Sequence, residues 1–259
     1  MLTPEEHKPD QFGAAPHPVP VRRKRSPLIK IIERFIDNPN FKTSTYFWLD
    51  ILLNIVIIVS LVFIIRTYII SPFQVYGPSM CDTLNSFNGQ CQRTYGEYQI
   101  VNKFGYQNFF GWQVGLPSRG DIIVFHPPMN ESEFFIKRII GLPGETVKLK
   151  DGKIFIINKE HPEGFELPEN YLNNTNRDNT HPYDRTRTDF EVPENSYFVL
   201  GDNRVASSDA RSCFQETAGN EPCSGPGKSP FLSLDHIEGK AWVILWPLSK
   251  IQLLPNPEY

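Results

Sequence analysis

Ser79 and Lys137 are the two side chains of this sequence that make most chemical sense together. Ser79 stands in Phe73-Gln-Val-Tyr-Gly-Pro-Ser-Met-Cys-Asp-Thr-Leu84 and Lys137 in Phe134-Phe-Ile-Lys-Arg-Ile-Ile-Gly-Leu-Pro-Gly-Glu145. A third block, Gly201-Asp-Asn-Arg-Val-Ala-Ser-Ser-Asp-Ala-Arg211, is dense in charges and hydroxyls, and none of the three blocks holds a histidine. A serine hydroxyl is a weak nucleophile until a base takes its proton, so lysine is the candidate base. A lysine amine, with an ordinary pKa near about 10.4, serves only when the fold keeps it neutral, chiefly by desolvation. Phe134, Phe135, Ile136, Ile139 and Ile140 supply the apolar surroundings. On a strand, Lys137 shares its face with Phe135 and Ile139. The competing reading extends the Lys137 ammonium to solvent and makes Arg138 the working cation.

Ser79 follows Gly77-Pro78, a pair that suits a tight turn aiming a side chain away from a sheet. Its own N–H would then face a developing oxyanion. An ordinary turn serine is the alternative. Cys81 is a poorer nucleophile candidate, because no base accompanies it. In the third block, Arg211 with Asp209 or Asp202 could form a buried bidentate pair, and the Ser207 hydroxyl could orient the lysine amine. A solvated charged loop would look the same at this level.

The elements that position these residues are short β-type runs. Gln99–Lys103, Asp121–Phe125, Thr146–Lys150, Lys153–Ile157, Ser196–Leu200 and Ala241–Trp246 read as strands, with Asp151-Gly152 as a hairpin turn. The expected fold is mainly β: an antiparallel β-rich catalytic domain over 71–259, preceded by one transmembrane helix over 44–70. Residues 158–192 are polar and read as an inserted loop or flap; 214–230 is a second Gly/Pro/Ser-rich loop.

Within the apolar segment, Ile51 to Ile65 is interrupted only by Asn54 and Ser60. With its flanks it is long enough to cross a hydrocarbon layer of about 30 Å. Tyr46, Trp48 and Tyr68 sit where interfacial aromatics belong. A cleaved signal peptide is disfavoured by the length of the run and by the lack of a small-x-small site after it. Arg22, Arg23, Lys24, Arg25, Lys30, Arg34 and Lys42 precede the span, and Arg66 alone lies near its exit. The positive-inside rule then places the N-terminus in the cytoplasm and the catalytic domain outside the plasma membrane. Residues 1–43 read as a basic cytoplasmic tail, with a possible amphipathic helix from Leu28 to Phe35, lying on the membrane or packed on protein. Phe104-Gly-Tyr-Gln-Asn-Phe-Phe-Gly-Trp112 either dips into the outer leaflet or is core.

The chain has 259 residues, a net charge of −3, 23 prolines and 17 glycines. The charge gives no basic field for nucleic acid, and the proline and glycine content suits a loop-rich β domain. Cys81, Cys91, Cys213 and Cys223 lack the close spacing of a zinc ribbon. Four cysteines allow three pairings; the two local loops are favoured, with four buried thiols as the alternative.

Together the three blocks resemble those of bacterial type I signal peptidase, a membrane-bound Ser/Lys protease family. Arg119-Gly-Asp-Ile-Ile-Val-Phe125 resembles a further strand of that family, and the order of the blocks agrees. The resemblance covers about residues 44–250 and is weak over 158–192. It implies that Ser79 is the nucleophile, Lys137 the general base and Ser207 the residue that orients Lys137. It implies that Asp202, Asp209 and Arg211 hold the site together, and that Phe73, Val75, Met80, Leu84 and Ile136 line pockets for small residues at −1 and −3. The implied partners are signal-peptide-bearing preproteins and the lipid bilayer, with no nucleic acid, no metal and no cofactor. Two departures stand out. Gly77 replaces a serine that serves some members as second oxyanion donor, and Cys81-Asp82 replaces the usual residue-then-proline.

Other classes are a Ser/Lys self-cleaving regulator, which would lack the membrane span, and a peptide-binding β domain, which would not need both Ser79 and Lys137. A peptidase restricted to one specialised substrate is compatible with the same residues.

Overall fold

The structure is a computed structural model and describes residues 30, 39–106, 115–183, 187–215, 223, 228–257 and 259. The basic tail, the helix expected from Leu28 to Phe35, and Phe109, Phe110 and Trp112 lie outside the described residues. The chain divides into two compact units, residues 1–58 and 59–259.

Helix α1 (Pro39–Ile64) is followed by one π-helical turn, Ile65–Ile69. The apolar stretch Ser44–Ile69 has 26 residues, and among the described residues none in its most apolar part is buried. Its length corresponds to about 39 Å of helix, enough to span a bilayer. Large apolar side chains on every side of the helix, Leu52, Ile55, Val59 and Phe63 among them, are more than half exposed. A helix apolar all round and unburied by protein is suited to lipid.

The larger unit is antiparallel β. Strand β1 (Ile70–Tyr76) leads through a small hairpin, β2 (Ser86–Phe87) and β3 (Gln90–Cys91), to β4 (Tyr95–Asn102), β5 (Ile122–Phe125) and β6 (Phe135–Gly141). β7 (Thr146–Lys150), β8 (Lys153–Ile157), β9 (Phe165–Glu166) and β10 (Asp189–Glu191) form a separate four-stranded sheet in the order β10-β7-β8-β9. The chain returns through β11 (Ser196–Leu200), β12 (Leu232–Ser233), β13 (Ile237–Trp246) and β14 (Gln252–Leu253). The main sheet runs β1-β4-β13-β5-β6-β11-β12, with β14 added on β13.

Each of the six runs read as strands lies on a strand. Asp151 and Gly152 both take positive φ, as a two-residue hairpin requires. Gly152 is also fixed by space, since a Cβ there would lie 1.9 Å from the Asp178 carbonyl oxygen. The 158–192 segment is more than a flap. It supplies β9 and β10, and Thr180 N–H donates to the Gly152 carbonyl at 2.8 Å.

Two apolar clusters form the core. The larger, with Ile139, Phe190 and Phe198, joins the two sheets. The smaller, with Val75, Met80, Leu84, Val101, Val124 and Ile136, packs under the turn that carries Ser79. Cys81 is bonded to Cys91 and Cys213 to Cys223, the two local loops. The first ties down the turn two residues after Ser79. Reduction with a phosphine is therefore expected to lower turnover and to release thiols. Unchanged turnover alongside the released thiols would remove the link.

Candidate active site

Lys137 sits in the middle of the main sheet, on β6 between β5 and β11, opposite Ile123. From Ile136 onward β6 is buried on both faces, so the lysine has no route to water along its own strand. Only 3% of Lys137 is exposed. Ser79 stands just past the end of β1, in a turn closed by Leu84 N–H donating to the Met80 carbonyl at 2.7 Å. Gly77 opens that turn at φ +83°, a region L-residues rarely adopt.

The two side chains meet. Lys137 Nζ donates to Ser79 Oγ at 2.9 Å and to the Ile136 carbonyl at 2.8 Å. Burial pushes the Lys137 pKa down to about 8, against the opposing pull of the Asp209 and Asp202 charges. Apolar surroundings thus keep a substantial share of the amine neutral near pH 8.

The loop after β11 clamps the turn that carries Ser79. Asn203 N–H donates to the Ser79 carbonyl at 3.0 Å, and the Asn203 amide donates to the Pro78 carbonyl at 3.0 Å. Gly201 allows the approach, because a Cβ there would fall 2.4 Å from the Ser79 carbonyl oxygen and 2.1 Å from Ser207 Oγ. Ser207 borders the same cleft as Lys137 and Ser79, and its buried Oγ has no hydrogen-bond partner among the described residues. The lysine's bonds go to Ser79 and Ile136 rather than to Ser207.

The charged side chains sort into separate buried pairs. Asp209 accepts from Arg211 Nε and from its terminal nitrogen, both at 2.9 Å, and takes the Gly201 N–H at 3.1 Å. Burial pushes the Asp209 carboxyl up, but the Arg211 guanidinium outweighs it and holds the group below the usual carboxylate range. Asp202 does not share Arg211. It takes the Arg138 fork, at 2.9 and 2.7 Å. Arg138 is thus a framework residue, with its remaining terminal nitrogen on the Gly120 carbonyl at 2.8 Å. A third buried pair, Arg204 with Glu169, reaches into the 158–192 segment.

A cleft of about 720 Å³ opens beside Ser79 and Lys137. Phe73, Val75 and Ile136 line it, whereas Met80 and Leu84 do not. Those two are 1% and 0% exposed and point into the small core, because the turn closed by the Met80–Leu84 bond faces them inward. Sequence reasoning missed Asn203 as a clamp, Gln99 on the cleft floor, and Tyr183. The Tyr183 ring forms one wall, and its hydroxyl donates to the Ser207 carbonyl at 3.1 Å. For Tyr183 no sequence signal existed. For Arg138 one did, since a buried-strand arginine requires an acid.

The family model described as "Signal peptidase, peptidase S26" matches residues 48–246. The chain belongs to this family. It is accordingly a hydrolase, a serine endopeptidase of the signal peptidase class. Signal peptidase I of Pseudomonas fluorescens is 30% identical over 220 residues, covering 76% of this chain and 72% of that one. Signal peptidase I P of Bacillus subtilis subsp. natto is 36% identical over 169 residues, 63% of this chain and 78% of that one. Signal peptidase IB of Staphylococcus aureus is 26% identical over 216 residues, 81% of this chain and 95% of its own length. A crystal structure of a signal peptidase I from Enterococcus faecalis V583 is 33% identical and covers 48% of this chain and 96% of that one, with a TM-score of 0.33. The apolar helix near the N-terminus and the family together make this a membrane-anchored peptidase.

Proposed function

We propose that the chain removes signal peptides from exported preproteins with a Ser79–Lys137 dyad, cutting after small residues at −1 and −3. The 2.9 Å contact between a buried lysine amine and a serine hydroxyl is the observation that carries this reading.

Neutral Lys137 takes the Ser79 proton as Oγ attacks the scissile carbonyl. The oxyanion that forms points at the Ser79 N–H, which donates to no described residue. The Gly77 N–H is already given to the Thr94 carbonyl at 3.2 Å. A second donor from position 77, available to relatives with serine there, is therefore missing. As the tetrahedral intermediate collapses, the Lys137 ammonium returns its proton to the leaving amine. The amine departs with the mature protein, and the signal peptide stays esterified to Ser79. Lys137 then deprotonates a water that hydrolyses the ester. Ser207 and the buried pairs Asp209–Arg211 and Arg138–Asp202 act by positioning.

The substrate lies extended along the cleft. Its −1 and −3 side chains fall on one face, toward the shallow apolar surface of Phe73, Val75 and Ile136, which admits alanine and excludes bulk. The N-terminus lies in the cytoplasm and the catalytic domain outside, consistent with the basic residues before the span and with both disulfides.

Cleavage of an Ala-x-Ala signal-peptide substrate in detergent tests the reading. A cut after the −1 alanine, lost in Ser79→Ala, is expected; retention of the cut in that variant would move the chemistry elsewhere. The rate should rise with pH, because the base works unprotonated. With a pKa of about 8, kcat/KM is expected to increase about tenfold from pH 7 to pH 9. A rate that peaks near pH 5 would contradict lysine as the base.

A further inference from the structure

We propose that Gln99 sets specificity from the cleft floor, by hydrogen-bonding a hydroxyl side chain at the −3 position of the substrate. The inference rests on the substrate reading given under Proposed function.

Alternation along β4 puts Glu97, Gln99 and Val101 on its buried face. Val101 belongs to the apolar core. Glu97 is satisfied, taking the Asn85 N–H at 2.6 Å and the Lys250 ammonium at 2.8 Å. Gln99 is neither apolar nor satisfied. It is 1% exposed, and its buried Oε1 has no hydrogen-bond partner among the described residues. Its cross-strand neighbours are Phe73 on β1 and Ile244 on β13, neither with a polar side chain to offer. A buried amide oxygen left unpaired is costly, and a leucine or isoleucine would suit the face better. The position makes sense if the partner arrives with the substrate, since Gln99 lines the cleft together with Phe73, Val75, Val124 and Ile136.

The place along the substrate follows from strand geometry. Phe73 lies six residues before Ser79, at the part of β1 farther from the nucleophile, and Gln99 lies directly beside it. When the −1 carbonyl is held at Ser79, the next side chain on the same face is that of −3, about 6.6 Å further along. It lands over the Phe73–Gln99 pair. An amide offers both a donor and an acceptor, so a serine or threonine hydroxyl is matched whichever way the amide faces. A site that hydrogen-bonds a hydroxyl discriminates against an isostere lacking it. Threonine at −3 should therefore be preferred over valine, its isostere.

The test uses the full chain in detergent and three substrates identical except for threonine, valine or alanine at −3. Wild type is compared with Gln99→Leu and with Gln99→Met, the unbranched variant that covers a folding failure of the first. The ratio of kcat/KM for threonine over valine is expected to fall about tenfold in both variants, each rate being read against that of the alanine substrate with the same variant. A ratio unchanged within about twofold, in a variant that still cuts the alanine substrate, overturns the role of Gln99. Failure of folded wild type to cut any of the three overturns the substrate reading itself, and this inference with it.

Discussion

Lys137→Met is expected to abolish cleavage and yet to raise thermal stability at pH 6. Loss of a positioned general base costs about 10²–10⁴ in rate, and in the proposed mechanism the same group serves both halves of the reaction, so the upper part of that range applies. The stability gain follows from the buried amine. The folded-state pKa of Lys137 is about 8, below the value near about 10.4 of an unfolded chain. Below pH 8 both states hold the proton, and the folded state bears the cost of an ammonium that is 3% exposed. That cost is about 3 kcal/mol and fades as pH climbs from 8 toward 10.4. The melting gap between variant and wild type should accordingly be widest at pH 6 and close at alkaline pH. Ser79→Ala is the control, with the same loss of cleavage and no pH-dependent gain. Cleavage by Lys137→Met within tenfold of wild type would rule the lysine out as base.

Arg138→Met is expected to destabilise the protein by about 3–5 kcal/mol, because it strands the Asp202 carboxylate without its counter-ion. Asp202 is 0% exposed and Arg138 1%, so water cannot replace the lost partner. In a unit of this size the melting temperature should fall by about 10 °C. Activity should fall with it even below the transition, since the Asp202 loop also holds the Ser79 carbonyl through Asn203. Replacing Asp202 by leucine in the same chain should recover part of the stability. A single substitution that leaves the melting temperature within about 2 °C of wild type would show that the pair is not buried as described.

Much of this architecture was legible in the residues, for separable reasons. Strands such as Thr146–Lys150 and Lys153–Ile157 announce themselves through β-branched residues on either side of Asp151-Gly152. The membrane helix is legible by apolar length alone. Ser79 and Lys137 were found through their motifs, not through proximity, because 58 residues separate them. The limits of reading are just as specific. Asp209 and Arg211, two residues apart, formed an obvious pair, but Asp202 had a candidate partner on its own loop and a true one 64 residues away. Met80 and Leu84 lie in the Ser79 motif and look like pocket residues; only the closed turn reveals that they face the core. The polar 158–192 segment reads as solvent-exposed because polarity does not show what satisfies it. Glu169 is spoken for by Arg204, and Asn173 and Asn176 are bonded to Asp82 at 2.6–3.0 Å.

Those last contacts change what trimming the domain would mean. A crystallographer seeking a minimal fragment would excise 158–192 first, as a polar segment that reads as an insertion. The cut would leave Arg204 without Glu169, Arg211 without the His181 carbonyl, and the Asp82 carboxylate, three residues past Ser79, without its asparagines. What looks like upholstery is counter-charge for the loops that carry Ser79 and Ser207, so any shortened version has to be redesigned at Arg204 and Asp82 before it is shortened.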